Sequence, residues 1–185
     1  TLEANSRGTQ ELIDTALVNN AVLVYLSSSE VYGNATVVPQ PETYWGNVNP
    51  IGPRACYDEG KRFSEALIST CITRFELKAA IIRLFNTYGP RLRLDDGRAV
   101  PTFMRQCLEN APITVHAPGN QTRSLCYVED TVAAIALAAE RGVGEVINVG
   151  NPQEVTMYDL AVAVREVAGT RNPIEIVEGR SEEIA

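Results

Sequence analysis

Apolar residues near the start of the chain switch from helical spacing to a short continuous run. The residues spaced as on one helix face are Leu2, Leu12, Ile13, Ala16 and Leu17. The run at 21–26 is too short for a helix and predicts a buried strand. A helix followed by a buried strand is the beginning of an α/β pattern.

The same alternation continues to the end of the chain. A long helix is predicted from Tyr57 to Phe75, and the apolar run at 79–85 predicts a second buried strand that turn residues end at 86–90. Further helices are predicted at 99–110, 129–141 and 156–168, and further strands at 113–116, 125–128, 145–149 and 174–177. Thr156 is expected to cap its helix. This order predicts a mainly parallel sheet covered on both faces.

Residues 30–56 interrupt the pattern. They contain four prolines together with glycines and aromatic residues. This composition predicts a long loop over a site rather than a linker. Arg54, which follows the prolines, is expected only to brace this loop.

The charge of the chain narrows the classes of ligand. The net charge is -7, with 23 acidic and 16 basic residues, which argues against binding nucleic acid or an anionic membrane. Most of the basic residues are arginines, whose planar guanidinium suits phosphate and carboxylate groups. An anionic ligand would therefore be bound by local arginines.

The cysteines and the single histidine give no metal motif. Cys56, Cys71, Cys107 and Cys126 form no CxxC pair, and His116 lies in an ordinary strand pattern. We predict no metal site, buried reduced thiols and a cytoplasmic location. No apolar run approaches the roughly 20 residues of a membrane span, so no membrane segment is expected in this chain.

Tyr57 and Lys61 are the first candidates for chemistry. They lie four residues apart in the predicted helix, so their side chains share one face. A free tyrosine titrates at about pH 10, and a neighbouring ammonium favours the phenolate form. The pair is therefore suited to taking a proton from a substrate hydroxyl.

A polar segment follows the first predicted strand, at the sheet edge where ligands bind in open α/β folds. Residues 27–30 supply three hydroxyls and a carboxylate, more than a turn requires. Ser28 is expected to hydrogen-bond the substrate hydroxyl beside Tyr57. Glu30 is expected to act as a second acid or base, or to orient the substrate.

These motifs resemble those of the extended short-chain dehydrogenase/reductases. The resemblance rests on SSEVYG at 28–33 followed by YDEGK at 57–61. Within that group, YWGNVNPIGPRACYDEGKR at 44–62 is similar to the UDP-glucuronate decarboxylases that form UDP-xylose. The stretches at 83–91, 95–98 and 121–128 are similar to them as well, and the similarity extends from about Asn5 to Tyr158.

The resemblance implies NAD as cofactor and a UDP-sugar as substrate, decarboxylated through a 4-keto intermediate. The catalytic residues it implies are Ser28, Glu30, Tyr57 and Lys61. The residues it implies for cofactor binding are Ser27, Tyr57, Lys61, Thr87 and Arg98. Those it implies for substrate binding are Ser29, Asn86, Arg91 and Arg123. It also implies a homodimer that pairs helices like the one at 57–75, although the apolar residues of that helix could all belong to the internal core.

Ser29 separates this chain from related enzymes. The sugar-nucleotide 4,6-dehydratases carry an aspartate there to protonate a departing hydroxyl, which a serine cannot do at neutral pH. A 4,6-dehydratase or a 4-epimerase remains the alternative enzyme. An alternative of another class is a noncatalytic nucleotide-sugar-binding or dimerisation module, against which the intact set of four polar residues argues.

The expected fold is the C-terminal part of a Rossmann-like, doubly wound, mainly parallel α/β sheet with a small substrate-binding α/β region. Residues 1–95 are expected to form the remainder of the NAD-binding domain. Residues 96–185 would mostly bind substrate, with 129–150 returning to the main sheet. None of the 13 glycines forms the glycine-rich fingerprint of a dinucleotide site, so we expect that half to be absent. The family also has a segment with a substrate-binding arginine at positions that would follow residue 185. We expect that this segment is missing from this chain as well.

Overall fold

The structure is a computed structural model and describes residues 1–178. The chain divides into two compact units. The first consists of Thr1–Phe85 and Asp130–Val149, and the second of Asn86–Glu129 and the residues from Gly150 onward. The predicted NAD-binding and substrate-binding roles of residues 1–95 and 96–185 remain predictions. Residues 179–185, the end of the second predicted region, lie outside the described residues.

The helices and strands alternate along the chain. In chain order they are α1 (Thr9–Asn19), β1 (Leu23–Ser28), α2 (Ala55–Phe75), β2 (Ala79–Leu84), β3 (Thr87–Tyr88), α3 (Ala99–Leu108), β4 (Ile113–His116), β5 (Thr122–Ser124), β6 (Cys126–Tyr127), α4 (Val128–Arg141), β7 (Val146–Val149), β8 (Glu154–Thr156), α5 (Met157–Val167) and β9 (Ile174–Val177). A π-helical turn at Ala4–Gly8 precedes α1, and a 3-10 helix at Ser29–Tyr32 follows β1.

The sheet of the first unit is parallel, with strand order β1-β2-β7. Side chains of the central strand β2 alternate between its faces, as the pleat requires. Ile81 packs with Ile13 and Ile68 from α1 and α2, whereas Ile82 packs with Ala138 from α4. Helices therefore cover both faces, and the predicted α/β, Rossmann-like class is confirmed.

β1 lies two residues later than the sequence predicted. Asn20 ends α1 in the left-handed conformation, and the next two residues, Ala21 and Val22, are exposed. Ser27 and Ser28 instead continue the strand, opposite Arg83 and Leu84 of β2. The backbone pairing, rather than the apolar run, sets the end of this strand, and it carries polar side chains to the sheet edge.

The second unit contains short paired strands and two packed helices. β3 pairs with β6 and β4 with β9 in parallel, while β5 and β8 are antiparallel. Phe103 of α3 and Leu160 of α5 share one core with Ile113 and Val115 of β4. The short strand predicted at 125–128 is confirmed as β6, whereas β5, which pairs with a different strand, was not predicted.

Two smaller expectations have different outcomes. Thr156 caps α5 as predicted, since its hydroxyl oxygen accepts a hydrogen bond from the Asp159 backbone N–H at 3.0 Å. The expectation of four buried thiols is wrong for Cys56, which is exposed in the first turn of α2.

Within residues 1–178, no helix combines the length and apolarity needed to cross a membrane.

Candidate active site

Helix α2 brings Tyr57 and Lys61 together at the carboxyl end of β1. The Lys61 ammonium donates a hydrogen bond to the Leu26 carbonyl at 2.8 Å, which ties the helix to the strand. The ammonium nitrogen lies 4.9 Å from the centre of the Tyr25 ring and 6.0 Å from that of Tyr57. Burial lowers the pKa of Lys61, and the negative charge of Glu65 opposes this shift.

The polar segment after β1 is held by its own backbone. The Ser28 oxygen accepts a hydrogen bond from the Glu30 N–H at 3.2 Å and caps the 3-10 helix at Ser29–Tyr32. This contact leaves the Ser28 hydroxyl hydrogen available to donate. The Glu30 carboxylate accepts a hydrogen bond from Arg54 Nε at 3.0 Å. Both side chains of this ion pair are about half exposed, so it contributes about 1 kcal/mol or less.

Ser27, a predicted cofactor ligand, takes part in a buried polar network. Its hydroxyl donates a hydrogen bond to Glu65 at 2.6 Å. The Glu65 carboxylate also accepts hydrogen bonds from Arg83 Nη2 at 2.7 Å and Arg83 Nε at 3.0 Å. The Glu65 and Arg83 side chains are only 12% and 13% exposed. The third Arg83 nitrogen, Nη1, donates to the Tyr32 hydroxyl oxygen at 2.8 Å. This pair of Glu65 and Arg83 was not predicted from the sequence.

The partners of Arg83 stabilise its charged form despite burial. Burial alone would lower its pKa, but hydrogen bonds to Glu65 and Tyr32 and the charge of Glu65 outweigh burial and raise that pKa. The Tyr32 hydroxyl in turn donates to the Asn148 side-chain oxygen at 2.8 Å. The network therefore joins α2, β2, β7 and the 3-10 helix.

The long loop predicted at 30–56 is fixed at several points. Gly33 forms a bridge with Asn47 and has a φ of 58°, and a Cβ there would overlap the Asn47 carbonyl. Arg62 of α2 donates to the Trp45 carbonyl at 2.8 Å. Asn148 of β7 donates to the Gln40 carbonyl at 2.8 Å. The loop is thus held by the same elements that carry the catalytic candidates.

Asp58 is a buried acid that sequence reasoning did not single out. It is 8% exposed, and its Oδ1 has no hydrogen-bond partner among the described residues. Burial raises its pKa, the charge of Glu30 adds to the shift, and the charge of Arg54 opposes it. Burial and like charge thus both favour its protonated form beside Tyr57.

The remaining predicted ligands belong to the second unit. Thr87 lies in β3, and the Asn86 carbonyl accepts a hydrogen bond from the Cys126 N–H at 2.8 Å. Arg91 is exposed, with a φ of 69°. The binding roles of Asn86, Thr87 and Arg91 stay predictions.

Two further arginines of the second unit differ in their partners. Arg98 forms a two-point ion pair with Asp96, which holds its guanidinium at the surface. Arg123, in β5, is exposed and donates to the neighbouring Thr122 carbonyl at 2.8 Å. The ligand roles of both residues stay predictions.

Comparison with known proteins identifies the family. Residues 1–150 match the model of the NAD dependent epimerase/dehydratase family. The chain belongs to this family, whose members use NAD.

Individual relatives point to nucleotide-sugars. UDP-glucuronic acid decarboxylase 3 of Arabidopsis thaliana is 46% identical over 96% of this chain and 52% of its own length. UDP-glucuronic acid decarboxylase 1 of Xenopus tropicalis is 40% identical over 96% of this chain and 42% of its own length. The chain thus spans about half the length of these curated relatives.

Solved structures share the fold. UDP-glucuronic acid 4-epimerase from Bacillus cereus, in complex with UDP-glucuronic acid and NAD, superposes with a TM-score of 0.83 at 26% identity, covering 98% of this chain and 57% of that one. UDP-glucose 4-epimerase from Thermotoga maritima, with UDP-glucose, gives a TM-score of 0.86 at 25% identity, covering 98% and 59%.

We predict that Arg83→Met, made in the intact protein, lowers the free energy of unfolding by about 3 kcal/mol, because it leaves a buried carboxylate unpaired. The double variant Glu65→Gln, Arg83→Met should lose less than the two single losses added together. Urea denaturation measures both. Arg105→Met breaks an exposed ion pair with Glu109 and is the control, with stability close to that of the wild type. Strictly additive losses would contradict the coupling.

A second prediction concerns Asp58. Because its pKa is raised in the folded state, the folded protein keeps a proton that the unfolded chain has released, and stability falls as pH rises from about 4 through the raised pKa. Asp58→Asn removes this penalty. Its melting temperature relative to the wild type should therefore increase between pH 4 and pH 7. Asp14→Asn, at an exposed position of α1, should show no such trend.

Proposed function

We propose that the protein containing this chain decarboxylates UDP-glucuronate to UDP-xylose through a 4-keto intermediate, with NAD as cofactor. The observation that carries the proposal is the cluster of Ser28, Glu30, Tyr57 and Lys61 at the carboxyl end of β1. Similarity to UDP-glucuronic acid decarboxylases over 96% of the chain supports this choice of substrate.

The residues of this corner fit NAD. The Lys61 ammonium uses one N–H on Leu26 and keeps two further donors, which suit the hydroxyls of a ribose. Tyr57 and Lys61 would hold the cofactor from this side, with Ser27 nearby in β1. When bound, NAD accepts a hydride from the sugar carbon and later returns it.

Proton transfer is assigned to side chains of α2 and of the segment after β1. Tyr57 takes the proton of the C4 hydroxyl, and Ser28 donates a hydrogen bond to the same oxygen. The resulting ketone lies β to the carboxylate, so carbon dioxide leaves as the ketone accepts the electron pair. Glu30 assists protonation of the enolate that remains.

Substrate recognition is assigned partly to the second unit. We propose that Asn86, Arg91 and Arg123 bind the nucleotide and its pyrophosphate, since exposed guanidinium groups suit phosphate oxygens. Thr87 and Arg98 are proposed to bind the cofactor. Ser29 is proposed to contact the sugar, in place of the aspartate that a dehydratase needs.

A 4-epimerase is the second candidate. The similarity to a solved UDP-glucuronic acid 4-epimerase favours it, because that enzyme binds the same acidic nucleotide-sugar. The two candidates differ in product, since an epimerase retains the carboxylate. The higher identity to the decarboxylases favours decarboxylation.

We further propose a cytoplasmic homodimer. The thiols of Cys56, Cys71 and Cys107 are free, which suits a reducing compartment. On α2, Phe63 is 50% exposed and lines a shallow cavity with Leu2, so the apolar residues of this helix are not all internal core. A second copy of the chain is the proposed partner of this surface.

The decarboxylase proposal predicts that the intact protein, given UDP-glucuronate and NAD, releases carbon dioxide and forms a nucleotide product lighter by that amount. Tyr57→Phe should lower the rate by about 10²-fold to 10⁴-fold, because it removes the proton acceptor. Mass spectrometry and carbon dioxide release measure both. Tyr88→Phe, on β3, is the control and should retain activity. A product of unchanged mass would favour the epimerase.

The dimer proposal predicts that Phe63→Glu converts the intact protein to a monomer, because a charge would be buried at the pairing surface. Analytical ultracentrifugation measures the mass. Val167→Glu, at a residue of α5 that is 91% exposed, should leave the oligomeric state unchanged. A Phe63→Glu protein that sediments like the wild type would exclude pairing through α2.

A further inference from the structure

Arg54 occupies a fixed position beside the candidate catalytic residues. It directly precedes α2, and its carbonyl accepts hydrogen bonds from the Tyr57 N–H at 2.8 Å and the Asp58 N–H at 3.1 Å. Its guanidinium carbon lies 5.9 Å from the centre of the Tyr57 ring. The backbone is therefore anchored by the first helical turn, while the side chain lies against the tyrosine.

The guanidinium has binding capacity that the protein does not use. Only Nε is engaged, by Glu30 at 3.0 Å, and the two terminal amino groups have no hydrogen-bond partner among residues 1–178. Arginine carries five N–H donors in a planar fork, so the terminal groups can donate two hydrogen bonds to one carboxylate. The Arg54 side chain is 55% exposed, which leaves this edge open to a ligand.

Arg54 also counters the local negative charge. Glu30 and Asp58 both lie at this corner, and their charges repel each other. Among neighbouring cations, Lys61 is tied to the Leu26 carbonyl, and Arg62 faces Glu59 and the Trp45 carbonyl. Without Arg54, an anionic sugar group at this corner would face the Glu30 carboxylate with no guanidinium beside it to offset that charge.

We propose that Arg54 binds the carboxylate of the sugar and thereby sets the preference for an acidic sugar over a neutral one. The inference rests on the proposed function, in which Tyr57 faces the C4 hydroxyl. The carboxylate is carried by C5, the ring carbon next to C4, so a cation as near to Tyr57 as Arg54 is within reach of it. The exposed pair with Glu30 is weak enough for the substrate to share or displace it.

This role differs from the expectation that Arg54 only braces the loop. Arg62 also braces the loop, since it donates to the backbone carbonyls of Val31 and Trp45 at 2.9 and 2.8 Å. Arg54 makes no hydrogen bond to a loop carbonyl among the described residues. Arg62→Gln is therefore a matched control that weakens the loop without removing the proposed carboxylate ligand.

The test measures binding in the intact protein by calorimetry, with NAD present and in a Tyr57→Phe background that keeps the ring but prevents turnover. The probes are UDP-glucuronate, UDP-xylose, which lacks only the carboxylate, and UDP-glucose. Arg54→Gln should weaken UDP-glucuronate binding by about tenfold to a hundredfold and change UDP-xylose binding by less than about twofold. The affinity of Arg54→Lys for UDP-glucuronate should lie between those of the protein with Arg54 and of Arg54→Gln, because lysine keeps the charge but lacks the planar pair of donors.

Other outcomes would overturn the inference. One is an equal loss of binding of UDP-glucuronate and UDP-xylose in Arg54→Gln. Another is the same selective loss of UDP-glucuronate binding in Arg62→Gln. A third is a protein with Arg54 unchanged that binds UDP-glucose as tightly as UDP-glucuronate. The decarboxylase proposal fails separately, when the protein with Tyr57 intact binds UDP-glucuronate but releases no carbon dioxide. Selective loss of UDP-glucuronate binding in Arg54→Gln would then still support the carboxylate site, as part of an epimerase.

Discussion

The buried ion pair between Glu65 and Arg83 is the interaction on which the first unit depends. Arg83 lies in the central strand β2 and Glu65 in α2, and the pair is bidentate, at 2.7 and 3.0 Å. Burying either charge alone would cost several kcal/mol. Ser27 and Tyr32 complete the hydrogen bonding, so helix, strand and the segment after β1 must keep one relative position.

This pair also affects the pKa of Lys61, one of the candidate catalytic residues. Glu65 lies one helical turn beyond Lys61, and its charge raises the pKa of that lysine. Arg83 neutralises much of this charge, and burial remains the larger influence, so the pKa of Lys61 is lowered on balance. Glu65 therefore influences how readily the Lys61 ammonium gives up its proton.

The sequence predicted the elements whose periodicity spans several turns or a full buried strand. It located α2, β2 and β9 closely and placed Tyr57 with Lys61 on one face. It missed β3, β5 and β8 because strands of two or three residues show no clear period, and their pairing comes from distant backbone. It did not reveal the pairing of Arg83 with Glu65, because the two residues are 18 positions apart and only the fold brings them together.

The candidate chemistry is divided between two separately packed units. Tyr57, Lys61 and Glu30 are positioned by the parallel sheet and α2, whereas Arg91 and Arg123 are positioned by short strands of the second unit. Under the proposed function, substitutions in the second unit would alter nucleotide binding without disturbing the proposed proton-transfer residues. The same first unit can serve a decarboxylase or an epimerase, and a few side chains at its edge, Ser29 and Arg54 among them, would then decide the reaction and the sugar.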